Sequence, residues 1–230
     1  MSPANAVING PVWSLAEVNQ SQVVPEALKL VATWIASYVT KPHPMLGRSG
    51  VVCPFMPPAL MAQGVWLSLI EGEPGDERDM CAVLTTYLGV YEALVDRGGA
   101  ARELITLVLA CPDVPAVRGQ SLIGSVHHTM KPTIVDAGLM LGEFFPDNPA
   151  EGLHNPAFRP LRCPIPLFVY RQMVANDLVF LTKPSDPPQR RQHFIRAYLR
   201  SMGDRLSPER LREAEVALTL AERELSLSRS

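Results

Sequence analysis

The sequence lacks the signatures that would name a chemistry outright. It has no GxGxxG after a strand pattern, no GxxxxGK[ST], no GxSxG and no HExxH. Neither a standard phosphate-cradling loop nor a serine-hydrolase elbow is therefore indicated. Its four cysteines, Cys53, Cys81, Cys111 and Cys163, form no CxxC pair and lie far apart. That argues against a disulfide framework or a zinc knuckle and for free thiols in a cytoplasmic protein. No long uninterrupted hydrophobic run is present. The longest uncharged stretch, Ser49 to Ile70, carries Pro54, Pro57, Pro58, Gln63 and Gly64, and reads as loop plus strand rather than a membrane span. The opening MSPANAVINGPVW shows no basic region followed by an apolar core, so no secretory signal is expected. There is no excess of positive charge either. A net charge of −2 gives no overall attraction to nucleic acid.

The composition otherwise describes an ordinary folded chain. Of 230 residues, 47% are hydrophobic and 19% charged, enough to bury a core without disulfide or metal. Twenty-two prolines against 15 glycines imply stiff, extended connections. Pro25 to Val39 has helical spacing of apolar residues. A proline-punctuated loop follows from Lys41 to Pro58, then a short helical pattern at Ala59 to Gln63 and a strand candidate at Val65 to Ile70. Asp79 to Val95 is the cleanest amphipathic helix, stopped by Arg97-Gly98-Gly99. Leu104 to Ala110 is a nearly continuous apolar run, as expected of a strand covered on both faces. Gly119 to Phe144 reads as mostly helical with a break near Lys131-Pro132. Leu167 to Met173 reads as a strand that Leu178 to Leu181 continue or return.

Two helices close the chain. One starts at Asp186-Pro187-Pro188. The other is announced by Ser207-Pro208-Glu209, a cap, a proline at the first turn and an acid. Its narrow seam of Leu211, Ala214, Leu218, Ala221 and Leu225 suits packing on the preceding helix or on a second subunit, which leaves a homodimer open. The seven arginines of residues 190–212 read as a solvated face balanced by Glu213, Glu215, Glu222 and Glu224. The pattern predicts an α/β (or α+β) fold: a small mixed sheet flanked by helices in residues 1–182, and a helical tail in residues 183–230.

Chemistry is concentrated in two stiff loops. The first, His43 to Phe55, holds His43, Arg48 and Cys53 between glycines and prolines. Arg48 lies five residues from Cys53 and is a candidate for lowering its pKa, which would make Cys53 a nucleophile. The bland alternative is a buried Cys53 and a surface Arg48. The second loop, Gly142 to Pro164, holds His154, Asn155, Arg159 and Arg162 at the entry to a strand. Arginine forks grip carboxylates, and imidazole serves a metal or a proton. The alternative there is a surface loop whose arginines pair with Glu143 or Asp147. The adjacent His127 and His128 point about a hundred degrees apart on a helix, so they cannot share one metal.

These two loops also carry a resemblance. Residues His43 to Phe55 and Gly142 to Met173 resemble a bacterial domain family of unknown function found near natural-product gene clusters, with the pattern HPxLGRxGxVCPF … GxFHP … NPxFRxxRxPxPLxxxRxM. That resemblance covers about residues 25–182; more remotely, the order of motifs alone is similar to the YqcI/YcgG family of haem-dependent oxygenases that hydroxylate amino-acid nitrogen. The resemblance implies a biosynthetic enzyme acting on a small, carboxylate-bearing, amino-acid-like substrate. It implies haem as cofactor, with His154 or alternatively His43 as axial ligand. Arg48, Arg159 and Arg162 would hold propionates or substrate, and Asn155 would orient the imidazole. Phe145 stands where those families tend to have His before Pro. Two other readings stay open: a non-catalytic binding or scaffold protein, and a metal-free enzyme using Cys53.

Overall fold

The computed structural model describes residues 10–72 and 75–228. The first nine residues, on which the reading of the N-terminus partly rests, lie outside them. The fold is built on one five-stranded sheet in the order β1-β2-β3-β5-β4, formed by Trp13–Ser14, Val65–Leu69, Thr106–Ala110, Leu139–Phe144 (β4) and Leu167–Gln172 (β5). Strands β2 and β3 pair in parallel, Val65 opposite Thr106 through Leu69 opposite Ala110. Strand β5 runs antiparallel to β3, with Thr106 opposite Arg171 and Ala110 opposite Leu167. The mixed α/β class expected from the sequence is the one adopted.

Every residue of β3 is buried, which is why its sequence reads as an unbroken apolar run. After the short α1 (Leu15–Gln20) and before the short α3 (Met56–Met61), helix α2 (Glu26–Trp34) covers one face, its Leu28, Val31 and Ala32 packing with Val65, Leu67, Val108, Ala110 and Leu167. The other is covered by α4 (Glu77–Arg97), whose tyrosines reach the backbone. Tyr87 donates to the Leu69 carbonyl at 2.7 Å, and Tyr170 of β5 donates to the Leu84 carbonyl at 3.0 Å. Asp76 caps α4 by accepting from the Asp79 amide at 3.0 Å, and the acids Glu77 and Asp79 complement the helix dipole.

Three local expectations differ from the structure. Residues 139–144 form strand β4 rather than helix. Gly138 at φ +74 ends α5 (Ser125–Asp136), and a Cβ there would lie 2.9 Å from the Ser201 hydroxyl. Helix α5 itself runs through Pro132, because Val126, Met130, Ile134 and Val135 are buried on both sides of the lost hydrogen bond. Leu178–Leu181 is a short helix, α6, rather than a strand: Leu178 and Leu181 fill a core with Phe194 and Tyr198.

The chain divides into two compact units, Met1–Thr129 with Leu141–Arg171, and Met130–Met140 with Gln172–Ser230. The second takes in more than the helical tail, because Val135, Met140, Met173 and α6 share one core with α7 (Pro188–Met202) and α8 (Pro208–Leu227). The seam residues Ala214 and Ala221 lie in that core, and Leu218 packs against it. Several arginines of the tail are paired within this unit: Arg191 with Glu224, Arg196 with Glu222 and Arg200 with Asp136. Lys131 sits 4.7 Å over the Phe194 ring and 3.5 Å from Asp186, and burial lowers its pKa. Among the described residues no helix is long and apolar enough to cross a membrane.

Leu84 is fully buried on the sheet-facing side of α4. Its replacement by Ala should destabilise the protein by about 2–5 kcal/mol. Denaturant titration checks this; an unshifted midpoint would show that this face is not core.

Candidate functional site

Helix α2 does not end as an ordinary α-helix. Ile35–Val39 forms a π turn in which the Thr40 amide reaches back five residues to the Ile35 carbonyl at 3.1 Å, and the Thr40 hydroxyl caps the Ile35 and Ala36 carbonyls. Single π turns often sit at functional positions. Here the turn carries Tyr38, whose ring lies 6.0 Å from that of Trp34 at an interplanar angle of 24°. The chain then enters the first polar loop. Its ends are tied by the Val52 amide on the Lys41 carbonyl at 2.9 Å and the Cys53 amide on the Val39 carbonyl at 3.0 Å. Inside it, His43 caps a single turn, Pro44–Leu46, its Nδ1 accepting from the Met45 amide at 3.2 Å.

The second loop joins β4 to β5. Asn148 is its buried pivot: Oδ1 accepts from the Ala150 amide at 2.9 Å, Nδ2 donates to the Glu143 carbonyl at 3.3 Å, and its own carbonyl accepts from Arg162 Nε at 3.4 Å. Further on, the Gly152 amide donates to the Phe158 carbonyl and the Phe158 amide to the Asn155 carbonyl, both at 3.0 Å. Asn155 Oδ1 accepts from the Ala157 amide at 3.0 Å, an Asx turn. Phe145, at the place where the resembled pattern has His, is buried with its ring hard against Gly119, where a Cβ would lie 2.5 Å away. It is a core side chain there.

The two loops meet. Asn155 Nδ2 donates to the Met45 carbonyl at 2.8 Å. Gly47, at φ +76, lies so close to the His154 carbonyl that a Cβ would come within 2.7 Å of the oxygen, so only glycine fits. The His43 ring stacks on Phe158 with centroids 4.6 Å apart and planes at 22°, and the Tyr38 hydroxyl donates to the Pro160 carbonyl at 3.4 Å. Between them opens a shallow, solvent-open cup of about 470 Å³, lined by the rings of Trp34, Tyr38, His43 and Phe158, by Met45 and Ala157, and by Arg159, Arg162, Cys163 and Pro164. Its volume falls in the ordinary range of small-molecule sites.

The structure thus gathers His43, Arg159 and Arg162 around one space and uses Asn155 as the pin between the loops. It does not place the other expected residues there. Arg48, expected to hold an anion together with Arg159 and Arg162, is not among the residues that line the cup. The guanidinium of Arg48 donates to three carbonyls of its own glycine-rich turn, Ser49 at 2.9 Å, Val51 at 3.0 Å and Val52 at 3.2 Å. Cys53 is half-buried against the α2-side core, away from the lining. His154 is exposed, and what it offers the first loop is its backbone. Trp34, Tyr38 and Phe158 were not legible as site residues, because aromatics at helical spacing read as core. The one available signal was that Trp34 and Tyr38 sit four apart, immediately before the histidine loop.

The chemistry open to the cup is that of an anion grip. Arg162 makes one hydrogen bond, through Nε, and among the described residues its terminal nitrogens have no partner. Arg159 Nη1 donates to the Pro156 carbonyl and, at 3.1 Å, to the Phe158 carbonyl; Nη2 lies 3.7 Å from Glu151. Burial pushes the Cys163 thiol up to about 12, and burial also raises the Tyr38 phenol, so both are neutral near pH 7. His43 fits the role of axial haem ligand poorly. An imidazole whose Nδ1 accepts from the Met45 amide carries its proton on Nε2 when neutral, presenting a donor rather than a lone pair. Among the described residues no three His, Cys, Asp or Glu side chains cluster to hold a metal. His127 Nδ1 instead lies 3.3 Å from Glu143 Oε1.

In comparison with known proteins, the model of a family described as a domain of unknown function, DUF6875, fits residues 28–213. No curated protein and no solved structure matches the chain.

The neutral, buried thiols carry a testable consequence. Iodoacetamide at about pH 8 should leave Cys163 and Cys111 unlabelled in the folded protein and label them once it is unfolded in urea. Mass spectrometry of the alkylated peptides checks this; rapid native labelling of Cys163 would mean an accessible thiolate in the cup.

Proposed function

We propose that this chain, which belongs to the DUF6875 domain family, binds in its cup a small molecule made of a flat apolar body and a carboxylate. One observation carries the reading: Arg162, its terminal nitrogens open, lines the same opening as four aromatic and imidazole rings, Trp34, Tyr38, His43 and Phe158. A guanidinium with free terminal nitrogens matches a carboxylate with two parallel charge-assisted bonds. The ring wall supplies apolar area and planar faces for the remainder of the ligand. His43, whose Nδ1 accepts from the Met45 amide, adds an Nε2–H donor at that wall. The amino-acid-like substrate implied by the sequence resemblance belongs to the same class through its carboxylate.

Magnitudes set the expected affinity. Charge-assisted hydrogen bonds contribute about 1.5–3 kcal/mol, and burying about 100 Å² of ring adds about 2.5 kcal/mol. Against a cost of at least about 4 kcal/mol for immobilising a ligand, an affinity on the order of 1 mM is expected for a one-ring carboxylate. The lining supports recognition through its guanidinium groups and rings, beside a thiol and a phenol that are neutral near pH 7.

Isothermal titration with benzoate and indole-3-carboxylate, with quenching of Trp34 as a second signal, tests the reading. Both should bind, and benzyl alcohol should bind at least about tenfold more weakly. Arg162→Lys, at an exposed position, should fold normally and lose about tenfold in affinity because the fork is gone. Equal binding of benzoate and benzyl alcohol, or an unaffected Arg162→Lys variant, would overturn it. A Soret band in protein produced with haem precursor, lost on replacing His43 or His154, would put the haem reading in its place.

A further inference from the structure

We propose that Glu151 fixes the charge that the cup accepts, so that it takes a ligand with one carboxylate and discriminates against a second; this rests on the binding reading above. The two arginines that line the cup are not equivalent. Arg162 has its terminal nitrogens open. Arg159 is already engaged: Nη1 is held by the Pro156 and Phe158 carbonyls, and Nη2 faces Glu151 Oε1 at 3.7 Å.

The Glu151–Arg159 pair is set by the backbone rather than by chance contact of two long side chains. The Gly152 amide on the Phe158 carbonyl closes the loop that separates them, bringing residue 151 beside residue 159. Gly152 is enclosed at that closure. A Cβ would lie 3.0 Å from the Asn155 carbonyl oxygen and 3.3 Å from the Phe158 ring, so the turn has little room to shift. Asn155, which pins the loop to Met45, holds the same turn from the other side.

The charge count follows. Two guanidinium groups and one carboxylate leave one net positive charge at the rim. A monocarboxylate neutralises it. A second carboxylate on the ligand would find Arg159 already compensated and would sit in the field of Glu151. The side chain of Glu151 is 63% exposed and that of Arg159 28%, so water weakens the effect. Discrimination is a matter of a few-fold.

The experiment compares benzoate with isophthalate, which adds one carboxylate to the same ring, in the wild type and in Glu151→Gln. Wild type should prefer benzoate. Glu151→Gln should move the ratio of the two dissociation constants about three- to fivefold toward isophthalate at low ionic strength. That shift should shrink in about 0.5 M salt, where the Debye length falls well below 10 Å. A purely structural role for Glu151 would change both affinities together and leave the ratio alone. Thermal melts verify that the variant is folded, and Glu151→Ala repeats the test without the amide. If both ligands bind and neither variant moves the ratio, the inference is wrong while the binding reading stands. If wild type binds no carboxylate, the binding reading falls and this inference with it.

Discussion

The structure of the first unit depends on one constraint: β3 is buried on both faces, so each of its backbone polar groups needs a strand neighbour and each of its faces needs a helix. Parallel pairing with β2 requires a crossover, which α4 provides. Antiparallel pairing with β5 places the start of β5 beside the end of β3, and the Cys111 amide continues the ladder to the Pro166 carbonyl at 2.8 Å. The residues just before β5, among them Arg162 and Cys163, are therefore held at a fixed sheet end. The cup inherits half of its wall from that register. The rest comes from the first polar loop and from α2 with the π turn that ends it, which pack on the sheet through Leu28, Val31 and Ile35 and leave Trp34 and Tyr38 half-buried at their margin.

Much of this was legible in the sequence wherever a single period dominates. The run of apolar residues in β3, the stripe of α4 and the Ser207 cap of α8 each had one physical explanation, and each is found. What was not legible depends on residues distant in sequence. Residues 139–144 extend the apolar pattern of α5, and only the left-handed Gly138 and the vacancy beside β5 make them a strand. The π turn at Ile35–Val39 has no sequence period of its own. The site divides in the same way. His43, Asn155, Arg159 and Arg162 stood out because polar groups in proline-stiffened loops are conspicuous, whereas Trp34 and Phe158 are indistinguishable from core side chains until the two loops meet. Arg48 was misplaced for a specific reason: spacing along the chain does not reveal that a glycine-rich turn folds three carbonyls around its own arginine.

The arginines of the second unit give the complementary lesson about charge. Arg191, Arg196 and Arg200 are a cluster in sequence, yet each faces an acid from α8 or α5. Most of these pairs are well exposed and contribute little to stability. They do neutralise a face that composition alone would describe as basic. Clustering in the sequence and clustering of net charge are different properties, and helix pairing decides between them.

Arg48 has a further consequence. A flexible loop that lines a binding site must be ordered when a ligand arrives, and each residue so ordered costs roughly 1–2 kcal/mol in lost backbone freedom. By gripping three carbonyls of residues 49–52, with the loop ends tied at Val39 and Lys41, Arg48 removes that freedom when the chain folds rather than when it binds. The wall that carries His43 and Met45 is in this sense preorganised. An arginine outside the lining thereby lowers the entropy that a ligand entering the cup would have to overcome.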